Sequence, residues 1–210
     1  MKIVVFGANG KTGSLFVEQA LSSGHKVIAF VRRLDSIAIE NPNLKIVVGT
    51  LNEKDKLRGV IVGSDAVVST LGGGSLTKHN PEVVEGIETI VNLMEETLVP
   101  RLLYMSSIGA GESRFYMPQP IRFLIVNVML RIPLADHNSN EKRIAASNLK
   151  WTVVRPGGLT DGPKTGNLKH GSDKTRLTGN SGISRANVAA FMLHEIVENA
   201  YVKKCVWLHE

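Results

Sequence analysis

The sequence predicts an α/β domain built on a doubly wound parallel β-sheet with helices on both faces. Three observations carry this. Short apolar, β-rich runs alternate with helix-patterned stretches from end to end, the signature of a parallel sheet covered on both sides. The first run, Ile3-Val4-Val5-Phe6, passes directly into the glycine turn Gly7-Ala8-Asn9-Gly10-Lys11-Thr12-Gly13. No repeat, linker or low-complexity tract interrupts the chain, so a single domain is expected over 1–210.

Taken in order, strands are expected at 2–6, 26–31, 45–48, 66–70, 101–105, 151–154 and 204–208, each a short apolar run. Helices are expected at 11–23, 53–59, 81–97, 138–148 and 185–199. The helix over 81–97 is the clearest. Pro81 stands at its start, and Val83, Val84, Ile87, Ile90, Val91 and Met94 form one continuous apolar face. Two stretches break the alternation. Segment 109–134 contains the unusually apolar run Ile121 to Leu130, which suits a substrate lid, a subunit interface, a membrane-lip helix or a buried helix bounded by prolines. Segment 157–182, rich in Gly, Lys, Thr and Asp, is expected to be irregular and to wall the substrate pocket.

Bulk properties exclude several function classes. Hydrophobic residues at 43% and charged residues at 21% are ordinary globular values. The net charge of +6 comes from scattered Lys and Arg, and aromatics make up only 5%, so the basic stripe with interleaved aromatics of a nucleic-acid binder is not visible. The single cysteine, Cys205, cannot form an internal disulfide and has no metal-ligand spacing around it, which favours a reducing cytoplasm. The apolar N-terminal run is too short for a signal-peptide core, and no segment reaches membrane-span length. No metal site is expected. Whether the chain is a monomer or a homodimer is left open.

The glycine turn has the parts needed to hold a pyrophosphate. Gly7 permits the tight turn off the strand, Gly10 removes a side chain where backbone meets phosphate, and Gly13 lets the next helix pack closely on the sheet. Asn9, Lys11 and Thr12 complete this contact set at the positive end of the helix. Gly10-Lys11-Thr12 resembles the end of a nucleoside-triphosphate loop, but that loop needs a glycine where Val5 stands. The second strand ends in Arg32-Arg33, where NAD-specific sites carry an acid. Guanidinium groups there bind a 2′-phosphate, so NADP(H) is expected in preference to NAD(H). Asp35 is expected to orient an arginine.

Further cofactor contacts are expected from later strand ends. Thr50 and Leu51 follow the third strand at the adenine edge, and Leu71, Gly72 and Gly73 follow the fourth, beside ribose and pyrophosphate. After the fifth come Ser106 and Ser107, the latter placed to bond the nicotinamide amide or a substrate carbonyl. Pro156, Gly157 and Gly158 leave the sixth in a rigid turn facing the carboxamide. His137, with an intrinsic pKa near neutrality, is a candidate acid just before a predicted helix.

Together these residues resemble the NAD(P)H-binding group of atypical short-chain dehydrogenases/reductases, which includes flavin reductase/biliverdin-IXβ reductase types and nitrogen-metabolite-repressor-like sensors. The resemblance covers nearly the whole chain, through the glycine turn, Val31-Arg32, Tyr104-Met105-Ser106-Ser107, Ala145 to Gly157, and Ile183 to Ala189. It implies a Rossmann fold, a nicotinamide cofactor and cytoplasmic location, and it matches Ser107 to the active-site serine of the flavin reductases. The Tyr-x-x-x-Lys pair of full dehydrogenases is absent: its slots align with Pro133 and His137. The flavin reductases' histidine after the sixth strand is replaced near Gly157, and Thr50 stands where many relatives carry Asp. The resemblance thus implies an NADPH-dependent reductase of a planar, electron-poor acceptor such as a flavin or quinone. The alternative is a non-catalytic NADP(H)-binding redox sensor acting through a protein partner.

Overall fold

The computed structural model describes residues 1–72, 75–116, 119, 123–172 and 182–210. Strands β1 (Lys2–Phe6), β2 (Lys26–Val31), β3 (Leu44–Val48), β4 (Ala66–Ser69), β5 (Arg101–Met105) and β6 (Lys150–Pro156) form the main sheet with β10 (Lys204–His209). Their order is β3-β2-β1-β4-β5-β6-β10, all parallel, and β8 (Lys169–Gly171) adds one antiparallel edge strand beside β10. The sheet is therefore not wholly parallel as expected. The segment 157–182 is also more regular than its composition suggested. Its described part carries β8 and β7 (Gly158–Thr160), which pairs in parallel with β9 (Gly182–Ser184).

Helices α1 (Lys11–Ser22) and α5 (Arg185–Glu198) cover one face of the sheet. Helices α2 (Lys54–Ile61), α3 (Pro81–Glu96) and α4 (Arg131–Ala145) cover the other. With both faces covered, a central strand must be apolar on both sides, and Ile3, Val4, Val5 and Phe6 are all fully buried. Each fully buried side chain of this size contributes roughly 1.5–3 kcal/mol to folding. α3 begins as its sequence dictates, with Pro81 in the first turn and the Asn80 side chain accepting from the Val83 amide at 3.2 Å. Ser184 caps α5 in the same way, accepting from the Asn187 amide at 3.1 Å.

α4 departs most from expectation. It starts at Arg131 rather than 138, so Pro133 lies in its first turn and His137 lies inside the helix. A first-turn proline costs nothing there, because those amides have no partner within the helix. Read linearly, the proline looked like a boundary. Packing of Leu134 against Ala110 and Val126 holds the additional turns. Ahead of α4, residues Gly111–Tyr116 form a 3₁₀ segment and Phe123–Met129 a π-helical one.

The parallel register aligns the C-terminal strand ends along one edge: Phe6 lies opposite Phe30 and Ser69, and Met105 opposite Val154. The order in which strands are added reverses between β1 and β4, the point where such sheets open a crevice for ligands.

Candidate active site

The first half of the crevice is shaped by glycines. Gly7 has φ +80°, and a Cβ there would stand 2.8 Å from the Thr70 hydroxyl. A Cβ on Gly13 would stand 2.1 Å from the Gly7 carbonyl oxygen, so no side chain is admissible there. Thr70 is the partner that sequence reading missed: its hydroxyl hydrogen-bonds with the carbonyls of Phe6 and Gly7 at 3.2 and 3.1 Å, bracing the turn. Gly10 closes the turn by donating to Gly7 at 2.9 Å. No side chain caps α1 and no acid stands in its first turn, so this helix end is kept open for an anion. Thr12 is buried, whereas Lys11 turns away to Asp161 at 2.8 Å, and Arg185 holds the other Asp161 oxygen at 2.5 Å. The lysine expected at the cofactor therefore ties α1 to the stretch after β7.

Beyond the turn, a cleft is lined by Gly7, Asn9, Val31, Arg32, Gly49, Leu51, Leu71 and Gly72. Arg32 and Arg33 are exposed and carry no side-chain bond among the described residues, which leaves both guanidinium groups for a ligand. Asp35 does not orient either one among those residues. Leu51, expected at the adenine edge, lines this cleft. A Cβ on Gly86 of α3 would meet its side chain at 2.7 Å, so that glycine is what lets Leu51 in. Thr50 is not on the cleft wall, because its amide and hydroxyl both donate to Glu53, at 2.7 and 3.3 Å. Gly73 lies outside the described residues.

The second half opens past Gly72, which borders both clefts. Its walls are Leu76, Met105, Ser106, Ser107, Leu130, Pro133, Leu134, His137, Pro156, Gly157 and Leu159. Pro133 and His137, the expected slots of the Tyr-x-x-x-Lys pair, both line this pocket. Among the described residues Ser107 donates only to the adjacent Ile108 carbonyl at 3.1 Å, a contact a ligand can displace. Ser106 is committed instead: its hydroxyl donates to Glu141 at 2.6 Å. The Gly157 amide is likewise spent on the Leu208 carbonyl at 2.9 Å, and Gly158 enters β7 rather than the pocket wall.

Two side-chain clusters stand behind this pocket, and the sequence reading singled out neither. In the first, the Asn140 amide donates to the Tyr104 oxygen at 2.9 Å, and that phenol meets Nδ1 of His137 at 2.8 Å. Burial pushes the Tyr104 pKa well above its ordinary value, so the phenol keeps its proton and donates a hydrogen bond to Nδ1. The imidazole proton then sits on Nε2. Burial also lowers the His137 pKa, more strongly than Glu141 and Asp136 raise it. At pH 7 the ring is therefore a neutral hydrogen-bond donor, not the charged acid its intrinsic pKa suggested.

In the second cluster, Arg155 on β6 is clamped between Glu141 at 2.7 and 3.1 Å and Glu112 at 2.7 and 3.2 Å. Burial works against its charge, but the bonds from Glu141 and Glu112 outweigh burial and hold the pKa above the ordinary value. Gly111, at φ +54°, leaves room for it: a Cβ there would lie 2.6 Å from the guanidinium. An arginine in the otherwise apolar strand Trp151 to Pro156 was the available signal, since a buried cation demands partners. Among the described residues no cluster of His, Cys, Asp and Glu is arranged to hold a metal. Burial pushes the Cys205 thiol up to about 12, which removes it as a nucleophile.

The residues present fit a nicotinamide dinucleotide: an uncapped helix end behind a turn whose Gly7 and Gly13 admit no Cβ, two exposed arginines after the second strand, and two clefts that meet at Gly72. The comparisons agree. The model of the NAD(P)H-binding family matches residues 7–199. An uncharacterised chloroplastic protein of Arabidopsis thaliana is 30% identical over 94% of this chain and 72% of its own length. An anaerobillin reductase from Escherichia coli O157:H7 superposes with TM-score 0.82 at 21% identity, covering 100% of this chain and 97% of that one. A short-chain dehydrogenase/reductase from Veillonella parvula, solved in complex with NADP, superposes with TM-score 0.84 at 16% identity, covering 100% and 94%. The chain belongs to the NAD(P)H-binding family and shares the fold of the solved proteins on which it superposes.

Proposed function

We propose that this protein is an NADPH-dependent reductase of a planar, electron-poor small molecule such as a flavin, a quinone or a linear tetrapyrrole. The observation that carries the reading is the apolar pocket joined to the cofactor cleft at Gly72, in which Pro133 and His137 replace the usual acid–base pair. When bound, the reduced nicotinamide supplies a hydride. The chain's own residues bind and position. The free amides of α1 hold the pyrophosphate, and Arg32 with Arg33 hold the 2′-phosphate. Met105, Leu130, Leu134 and Leu159 stack the acceptor and exclude water. Ser107 orients the nicotinamide amide or an acceptor carbonyl, and the Nε2 proton of His137 bonds an acceptor heteroatom. Such acceptors take their protons from water afterwards, so the site needs no charged acid at pH 7. The lone, inert Cys205 suits work in a reducing cytoplasm.

The testing experiment follows NADPH oxidation by absorbance with flavins, quinones, azo dyes and linear tetrapyrroles, with NADH in parallel. Anaerobillin belongs in the panel too, because the Escherichia coli protein of the same fold is named for reducing it. Turnover on a planar acceptor with NADPH preferred is the expected outcome. Tight NADPH binding without turnover decides for the second reading, a cofactor-binding sensor. That reading draws support from the exposed apolar side chains near the pocket mouth.

A further inference from the structure

Of the twelve large hydrophobic side chains exposed among the described residues, five fall between 115 and 129: Phe115, Phe123, Leu124, Val128 and Met129. All five are more than half exposed, so the buried-helix alternative for this segment fails. Val126 is the anchor, buried against Ala110 and Leu134, while these neighbours face outward. Leu76, also more than half exposed, and Leu130 line the acceptor pocket, so the apolar face runs on into the site. Soluble proteins do not leave clustered apolar side chains of this size in water without a use for them.

The surroundings of this face are basic. Arg114 and Arg131 are exposed, and the Arg114 guanidinium stands 5.0 Å above the Phe115 ring. From 113 to 135 the sequence holds three arginines and no acid, and the preceding Glu112 is committed to Arg155. We propose that this face docks on an anionic lipid surface and admits a lipophilic acceptor from the bilayer into the pocket. Exposed apolar side chains flanked by the guanidinium groups of Arg114 and Arg131 match the interface between acyl chains and anionic headgroups. A second copy of this chain matches less well. A two-fold contact sets the same patch against itself, with arginine facing arginine and no carboxylate to pair them. The docking stands by itself, whereas the acceptor's lipophilic character rests on the reductase reading above.

The test sediments the 210-residue chain with vesicles of phosphatidylcholine, alone and mixed with phosphatidylglycerol. Pelleting with the mixed vesicles is expected, weaker by about tenfold or more with the neutral ones and in high salt. The double variant Phe123→Glu/Leu124→Glu loses pelleting while keeping its circular dichroism and NADPH affinity. Arg114→Gln/Arg131→Gln loses only the preference for anionic lipid. Absence of pelleting with both vesicles overturns the proposal. So does a concentration-dependent dimer mass, abolished by the same glutamate variant, in place of pelleting. For the acceptor, the glutamate variant should lose turnover of a vesicle-embedded quinone and keep that of a water-soluble one. Equal turnover of both by the variant overturns delivery from the bilayer. Pelleting without turnover of any acceptor sinks the reductase reading and leaves the docking in place.

Discussion

On the cofactor side, the chain turns on itself within seven residues, and the cavity exists because side chains are missing. On the acceptor side, walls arrive from Gly72 and Leu76, Met105 to Ser107, Leu130 to His137, and Pro156 to Leu159, and two buried polar clusters hold them in place. The first region is defined by local sterics: Gly13 tolerates no Cβ because a backbone oxygen occupies its place. The second is defined by convergence, in which Arg155 on β6 fastens both α4 through Glu141 and the 3₁₀ segment through Glu112. A glycine turn of this kind can be shared by proteins of different activity, whereas the acceptor half is where this chain acquires its own chemistry.

The contrast is testable first on the acceptor side, where the largest loss is expected. Arg155→Met leaves the buried Glu141 carboxylate without its cation and should cost about 3–5 kcal/mol in urea unfolding. Removing Glu112, whose side chain is 54% exposed, should cost far less. Equal losses would show that Arg155 fastens the two segments alike.

On the cofactor side, Gly13→Ala should cost about 3 kcal/mol and weaken NADPH binding, because its Cβ meets backbone that cannot yield. Retention of stability and affinity would mean that the turn is looser than its geometry shows. Next, Arg32→Ala/Arg33→Ala should weaken NADPH binding by about ten- to a hundred-fold and leave NADH almost unchanged, as expected for lost charge-assisted bonds to the 2′-phosphate. Equal losses for both cofactors in calorimetric titration would refute the clamp.

A smaller effect separates the His137 cluster from the rest. The folded chain holds this pKa below its ordinary value of 6.5. Between the lowered value and 6.5, the unfolded chain binds a proton that the folded chain does not. Stability is therefore full above that window and falls as pH drops through it, by up to about 1.4 kcal/mol per pH unit. His137→Gln should flatten the acid side of Tm against pH, with the residual slope set by His25 and His170, whose pKa values burial also lowers. An unchanged slope would place the imidazole in water. Smallest of all, Gly59→Ala in α2 should stabilise by about 0.5–1 kcal/mol, since nothing lies within 4 Å of the added carbon. The same substitution thus has opposite signs at Gly13 and Gly59.

The alternation of apolar runs and helical patterns already carried the sheet, and the positions of β1, β2, β5 and β10 read directly from it. So did the glycine turn and the exposed arginines after β2, because a turn needing φ above zero and a strand end in water leave residue-level marks. α4 did not read in this way. Pro133 resembled a stop, and only contact with Val126 and Ala110 extends the helix back to Arg131 and brings His137 inside it. Thr50, Lys11 and Ser106 each carried a plausible polar group at a plausible place. The folded chain spends those groups on Glu53, Asp161 and Glu141.

By itself, then, the sequence determined what depends on neighbours along the chain: strand periodicity, the glycine turn that keeps a helix end open, and the charge after the second strand. The tertiary structure alone decided which polar groups remain free to act. It pairs Tyr104 with His137 across 33 residues and Arg155 with Glu112 across 43. It also turns Phe123, Leu124, Val128 and Met129 outward beside the pocket, though their composition suits a core equally well. The reason is physical. A hydrogen bond or a buried contact belongs to a pair of groups, and most partners at this site are brought together only when the chain folds.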